Sequence, residues 1–257
     1  MSFELGGSGV VITGAGQGIG AALARRFAAD GARLVLADVD SSVETVAAEL
    51  GATAVVGDAA SEDGVHQLVA LAREALGEID MYCANAGIAP MGGPDAPEED
   101  WARTWDVNVM SHVRASRALL PAWLERGRGH FLATVSAAGL LTSLGSASYS
   151  VTKHGALAYA EWLFATYKHR GISVQALCPQ GVRTRMLEQT GPGGQFLMGP
   201  SAIAAEQVAD DVVEALGGEQ FLILPHPEVA TYYAARATQN DRWLAGMNKI
   251  QRKLDEL

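Results

Sequence analysis

Residues 10–20 read Val-Val-Ile-Thr-Gly-Ala-Gly-Gln-Gly-Ile-Gly. A short β-branched run, Val10 to Thr13, breaks into the glycine string Thr13 to Gly20, and a helix-like stretch continues from about Gly18 to Asp30. Gly14, Gly18 and Gly20 fall in the turn and in the first turn of that helix. Glycine lets a backbone approach a pyrophosphate closely, and a helix N-terminus offers free N–H groups and the positive end of a dipole. A glycine string alone is weak evidence. This one follows a strand, opens a helix and lies at the start of the chain, which makes it a dinucleotide-binding turn.

The same strand–helix rhythm extends outward from that turn. Strand-like apolar runs recur at residues 33–38, 53–57, 79–84, 130–135, 173–177 and 221–224, with Ser41 and Ser61 placed to start helices between them. Strands that alternate with helices are parallel, and helices on both faces explain their near-continuous apolar character. The expectation is an α/β protein: one Rossmann-like doubly wound domain over residues 1–257, with a seven-stranded parallel sheet. Two segments depart from the rhythm. Residues 184–204, rich in glycine and proline, read as a lid-like mobile loop. Residues 227–257 read as a helical tail, in which Trp243, Met247, Ile250, Leu254 and Leu257 form one apolar stripe. The stripe packs either on its own domain or on another subunit.

Composition narrows the partners. Apolar residues make up 49%, enough for a large core, and a net charge of −10 argues against nucleic acid. Cys83 and Cys178 lie in strand-like runs and read as buried small hydrophobes, without the clustering a metal needs. With no signal-peptide pattern and no apolar run of membrane-spanning length, a cytoplasmic protein is expected.

Asp38 ends the second strand, 20 residues beyond Gly18, where a carboxylate accepts hydrogen bonds from ribose hydroxyls and repels a 2′-phosphate. Val39, Asp40 and Gln17 offer no cation to such a phosphate, so NAD is the expected cofactor. Asp58 with Ala59, and Asn85-Ala86-Gly87, follow the third and fourth strands, either as cofactor contacts or as ordinary turn residues.

Tyr149 and Lys153 are four residues apart, on one face of a helix. A nearby ammonium favours the phenolate and fits the pair for acid–base work near neutrality. Taken alone the pair is more often structural. Ser136, 13 residues earlier and at the end of the fifth strand, brings a hydroxyl to the crevice where ligands bind.

Together, TGAGQGIG, Asn85-Ala86-Gly87, Asn108 within DVNVM, Ser136 and Tyr149-Ser150-Val151-Thr152-Lys153 resemble the short-chain dehydrogenase/reductase family in order and spacing, over residues from about 5 to 225. The resemblance implies Tyr149 as general acid/base and Lys153 on the nicotinamide ribose. It implies Ser136 on the substrate oxygen and Asn108 holding a relay water, with a plain helix kink as the alternative for Asn108. It also implies cofactor contacts from Ile12, Gly14, Gln17, Gly18, Ile19, Asp38, Asp58, Ala59, Asn85, Gly87, Pro179, Val182 and Thr184, and a homotetramer or homodimer. The reaction implied is NAD-dependent interconversion of a secondary alcohol and a ketone. A lyase or epimerase on the same scaffold, or a non-catalytic NAD sensor, are the rivals.

One position departs from the family pattern. In Pro179-Gln180-Gly181-Val182-Arg183-Thr184, Gln180 stands where glycine is usual. It either points away or reaches the substrate. Ile88, Met91, Leu140, Leu141, Met186, Leu187, Phe196 and Met198 suggest an apolar small-molecule substrate, unless they anchor loops. Arg183 and Arg185 read as solvent-facing, or as partners of an anionic substrate. His112, His154 and His226 show no obvious partner.

Overall fold

The computed structural model describes residues 3–256. β1 (Gly9–Thr13) leads through the glycine turn into α1 (Gly18–Ala29), followed by β2 (Arg33–Asp38), α2 (Ser42–Leu50), β3 (Thr53–Val56), α3 (Glu62–Leu76) and β4 (Met81–Ala84). α4 (Glu98–Trp105) runs through a π-helical turn, Asp106–Met110, into α5 (Ser111–Arg126). Then come β5 (Gly129–Thr134), α6 (Ala137–Leu140), α7 (Ala147–Tyr167) and β6 (Ile172–Leu177). α8 (Arg185–Glu188), α9 (Gly191–Met198), α10 (Ala205–Leu216), β7 (Leu222–Ile223), α11 (Glu228–Thr238) and α12 (Asn240–Leu254) complete the order.

Among the described residues seven strands form one sheet, ordered β3-β2-β1-β4-β5-β6-β7, and every pairing is parallel. The order reverses between β1 and β4, which opens a crevice beyond the strand ends, where open α/β sheets bind ligands. Apolar residues pack on each face of the sheet. One core joins Val11, Tyr82, Phe131 and Val174 to α3, α5 and α7; the other joins Ile12, Leu36, Cys83 and Leu177 to α1, α2 and α10. Alternate residues of each buried strand thus serve opposite cores, which is why the strands are apolar throughout.

Local chemistry sets several boundaries. Ser61 caps α3 by accepting the Gly64 N–H at 3.1 Å. Ser41 makes no such bond; Asp40 accepts the Ser42 N–H at 2.8 Å instead. β4 begins at Met81, two residues after the expected start, because the Asp80 side chain turns back to accept the Gly9 N–H at 2.9 Å.

Residues 184–204 are not the irregular loop expected from their glycines. They form α8, α9 and a short 3-10 turn, Gly199–Ser201. Gly191, with φ 67°, supplies the left-handed residue at the start of α9. At Gly194 a Cβ would strike the Thr190 side chain, so glycine there lets the helix close. Both ends of the segment are tied down: Arg183 donates its N–H to the Ile203 carbonyl at 2.9 Å, and Ile203 donates to the Gly181 carbonyl at 3.1 Å. The tail is helical as expected and packs on its own chain, with Leu254 beside Gly193 of α9. Leu257 lies outside the described residues.

Candidate active site

The glycine turn is built around backbone contacts that a side chain would block. Gly14 has φ 64°, and a Cβ there would sit 2.9 Å from Ala86 Cα; at Gly20 a Cβ would collide with the Gly14 carbonyl. Asn85 ties this turn to the rest of the sheet edge. Its Nδ2 donates to the carbonyls of Thr13 (2.9 Å) and Gly14 (3.2 Å), and its Oδ1 accepts from Thr134 Oγ1 at 3.1 Å. Its amide is thereby engaged in holding β1, β4 and β5 together, a structural duty that the sequence did not separate from ligand contact.

Asp38 stands beside the turn. Its Oδ2 accepts the Gly16 N–H at 2.9 Å and its Oδ1 accepts the Asp40 N–H at 3.0 Å, which orients the carboxylate and leaves further lone pairs open. Asp58 takes the Ala60 N–H in the same manner, at 2.9 Å.

Ser136 lies two residues beyond β5 and caps α6, accepting the Ala138 N–H at 3.0 Å. Tyr149 is in the first turn of α7, which Ser146 caps, and Lys153 follows one turn later. Lys153 is buried, with Nζ donating to the Thr134 carbonyl at 3.0 Å and lying 5.6 Å from the centre of the Tyr149 ring. Burial pushes the Lys153 ammonium down to about 8. Burial also raises the Tyr149 hydroxyl above the usual phenol value, with the Ser136 hydroxyl opposing it. The expected lowering by Lys153 is not what sets the direction: burial raises the hydroxyl, and the opposing influence comes from Ser136.

Asn108 is fully buried in the π turn. Its Oδ1 accepts the Ile88 N–H at 2.9 Å, while its Nδ2 donates to the Ile88 carbonyl at 2.9 Å and to Thr152 Oγ1 at 3.1 Å. The side chain fastens the segment after β4 to α7. The helix is widened here into a π turn, with the donor and acceptor ends of the amide both engaged.

One cavity of about 1520 Å³ runs across these strand ends. Gly14, Gln17, Gly18, Ile19, Asp38, Asp58, Ala59, Asn85 and Gly87 line it, and so do Ser136, Tyr149, Lys153, Pro179, Val182 and Thr184. Asn108 stands behind this wall. Ile12 is not at the surface of the turn but inside the core, because its side chain points from β1 toward α1. Of the apolar residues expected around the substrate, Ile88, Met91, Leu141, Met186, Leu187 and Met198 line the cavity. Leu140 is buried in the core beneath, and Phe196 faces outward, 48% exposed.

Two contributions escaped the sequence. α11 and α12 supply Tyr232, Trp243, Met247 and Ile250 to the cavity wall. The periodic stripe signalled an apolar face but not its destination. His226 does have partners: its Nδ1 accepts the Gln180 N–H at 3.1 Å and its Nε2 lies 3.2 Å from the Ser201 carbonyl. His154 also has one, the Ser150 carbonyl at 2.8 Å.

The family model described as short chain dehydrogenase matches residues 8–194. The chain belongs to the short chain dehydrogenase family. Among its relatives in this family is the 1-deoxy-11-beta-hydroxypentalenate dehydrogenase of Streptomyces exfoliatus, 40% identical over 229 residues, which cover 85% of this chain and 82% of the relative. Oxidoreductase UcpA of Salmonella typhimurium is 36% identical over 192 residues, 72% of this chain and 73% of that protein. A solved short chain dehydrogenase/reductase from Burkholderia phymatum, in complex with NAD, superposes with a TM-score of 0.83 at 30% identity, covering 93% of this chain and 96% of that one. The span matched by the family model holds the cavity residues from Gly14 to Thr184, whereas Tyr232, Trp243, Met247 and Ile250 lie beyond it.

Proposed function

We propose that this protein is an NAD-dependent oxidoreductase that interconverts a secondary alcohol and a ketone. The observation that carries the reading is the continuity of one cavity from Asp38 at the end of β2, past the glycine turn, to Tyr149 and Lys153 on α7. Its volume exceeds the roughly 300–1,000 Å³ of an ordinary single-ligand pocket, so a dinucleotide and a substrate fit together. The residues present suit the cofactor. Gly14 and Gly18 present bare backbone to the cavity, and the N-cap of α1, Gln17, leaves that helix end without a side-chain capping bond. The solved relative in complex with NAD supports the same assignment.

In this reading Gly14, Gln17, Gly18 and Ile19 hold the pyrophosphate. Asp38 binds the adenosine ribose hydroxyls, and Asp58, Ala59, Asn85 and Gly87 form the adenosine side. Lys153 and Tyr149 hold the nicotinamide ribose, with Pro179, Val182 and Thr184 around the nicotinamide. When bound, NAD accepts or returns the hydride of the carbinol carbon. Tyr149 exchanges the hydroxyl proton with the substrate oxygen. Ser136 donates a hydrogen bond to that oxygen and keeps it beside the phenol. Lys153, with its ammonium on the Thr134 carbonyl, fixes a positive charge below the site. The Asn108 side chain is occupied, so its part in a proton relay runs through the main chain of the π turn.

One unit spanning residues 1–257 performs both binding and chemistry in this reading. A homodimer or homotetramer belongs to it as well, supported by the exposed Val151 and Trp162 on the outer side of α7. Replacing Tyr149 by phenylalanine tests the assignment. Turnover is expected to vanish while NAD binding, followed by calorimetry, is retained; wild-type turnover in that variant would sink it. Net formation of reduced cofactor separates the reading from a lyase or epimerase on this scaffold.

A further inference from the structure

Gln180 is held by its backbone and left free at its side chain. Its N–H is fixed on His226 Nδ1 at 3.1 Å. The carbonyl of the preceding Pro179 accepts the Ala137 N–H at 2.8 Å and lies 3.5 Å from Ser136 Oγ, so Gln180 follows directly on the turn that faces Ser136. The next residue, Gly181, is covered by Met198 at the end of α9, where a Cβ would collide with the Met198 carbonyl or lie 2.5 Å from it. Backbone hydrogen bonds and close packing thus hold the chain on either side.

Among the described residues the side-chain amide has no partner. Gln180 Oε1 is buried without a hydrogen bond, and no hydrogen bond joins Nε2 to the described residues. The residue is only partly buried and lines the large cavity, so Nε2 is the end of the amide that is open. The opposite setting of the amide would bury an N–H donor with no acceptor, which is the rarer defect in proteins. An amide in the cavity wall with its donor uncommitted, one residue beyond the Pro179 carbonyl that lies 3.5 Å from Ser136 Oγ, calls for an acceptor from whatever enters the cavity. Leu141, Leu187 and Met198 make part of the same cavity wall apolar.

We infer that Gln180 is a specificity-determining residue: its Nε2–H donates to a second oxygen on the substrate, carried by the carbon adjacent to the reacting carbinol. The substrate class is then an apolar secondary alcohol with a vicinal oxygen, a 1,2-diol in the oxidised direction and an α-hydroxy ketone in the reduced one. This rests on the dehydrogenase reading given above.

The test compares simple secondary alcohols with their vicinal diols, cyclohexanol against trans-1,2-cyclohexanediol and 2-octanol against 2,3-octanediol, in the wild type and in Gln180→Met. Methionine keeps the length and removes the donor. The wild type is expected to favour the diols in kcat/KM by roughly tenfold, the equivalent of about 1.4 kcal/mol. Gln180→Met abolishes that preference through KM and leaves NAD affinity, measured by calorimetry, unchanged. A wild type without preference for the diols overturns the inference. So does a variant that keeps the preference, or one that weakens NAD binding and both substrate types alike, which would put the amide on the cofactor. Absence of NAD binding in the wild type would instead defeat the dehydrogenase reading itself.

Discussion

The Gln180 N–H donates to His226 Nδ1 at 3.1 Å, and because that nitrogen accepts, the ring proton sits on Nε2 and is directed to the Ser201 carbonyl 3.2 Å away. One imidazole thus links the turn after β6 to the turn that closes α9. His226 is buried, so neither bond has water as a substitute. In His226→Phe the ring volume is retained and both bonds are lost, leaving the Gln180 N–H unpaired. A buried donor without a partner costs about 1–3 kcal/mol. For a chain of this size that is a fall of roughly 2–12 °C in Tm. Amide exchange is expected to accelerate in residues 180–201 and to remain slow in β1 and β2. Uniform acceleration across the sheet would show that His226 has only a packing role.

Asp38 bears on cofactor choice through two bonds of its own. With the Gly16 and Asp40 N–H groups on its two oxygens, the carboxylate is fixed in place, and a 2′-phosphate brought to it would meet a charge that cannot turn away. Asp38→Asn removes the charge and keeps one acceptor for Gly16. The ratio of kcat/KM for NAD over NADP is expected to fall by about tenfold or more, which corresponds to about 1.4 kcal/mol of lost repulsion. An unchanged ratio in steady-state assays would place the selectivity elsewhere.

The elevated Tyr149 hydroxyl has a directional consequence. A phenol raised by burial keeps its proton through neutral pH, so the proton donor needed for ketone reduction predominates there. The phenolate needed for alcohol oxidation accumulates only as pH rises. At saturating cofactor, oxidation is expected to climb through the alkaline range while reduction declines. Parallel pH profiles for the two directions would contradict Tyr149 as the shared acid/base.

Most of the sheet was legible because each strand carries its own apolar run and each crossover its own helix period. The cavity-lining residues were legible where a glycine, a carboxylate or a hydroxyl stands at or just beyond a strand end, as at Gly14, Asp38 and Ser136. Where the structure differs from the expectation or adds to it, the reasons are physical. The glycines of 184–204 suggested an irregular loop, yet Gly194 serves to admit the Thr190 side chain against α9. Ile12 was grouped with the turn beside it, although alternation along β1 sends its side chain into the core. Asn85 and Asn108 look like ligand-binding amides in the sequence. Their actual bonds reach the carbonyls of Thr13, Gly14 and Ile88, which no local pattern reports. The His226 bridge joins segments 25 and 46 residues apart, and the α12 wall meets strand ends farther still along the chain: only the folded chain brings them together.

Two histidines that take no part in the site govern stability in acid. His112 on α5 is buried against Phe131, at 6.0 Å between ring centres, and neither ring nitrogen has a hydrogen-bond partner among the described residues. His130, at the start of β5, is likewise buried, with the Gln175 side chain near it but no well-formed hydrogen bond to either nitrogen among the described residues. Burial pushes His112 down to about 3, with the Lys153 charge adding to it, and His130 down to about 4, with Gln175 opposing. The folded chain therefore refuses protons that the unfolded chain accepts below about pH 6.5. Above that pH neither form is protonated and no penalty exists. As pH falls toward the folded values, stability is lost at up to about 1.4 kcal/mol per pH unit for each ring, or about 2 kcal/mol for each at pH 5. In His112→Leu the isolated imidazole is replaced by an apolar side chain and no hydrogen bond is lost. Denaturant unfolding at pH 7.5 should show that variant at least as stable as the wild type. At pH 5 it should show about half the wild-type loss attributable to these two residues. An identical pH dependence in the two proteins would mean that His112 reaches solvent, or a proton acceptor, before the chain unfolds.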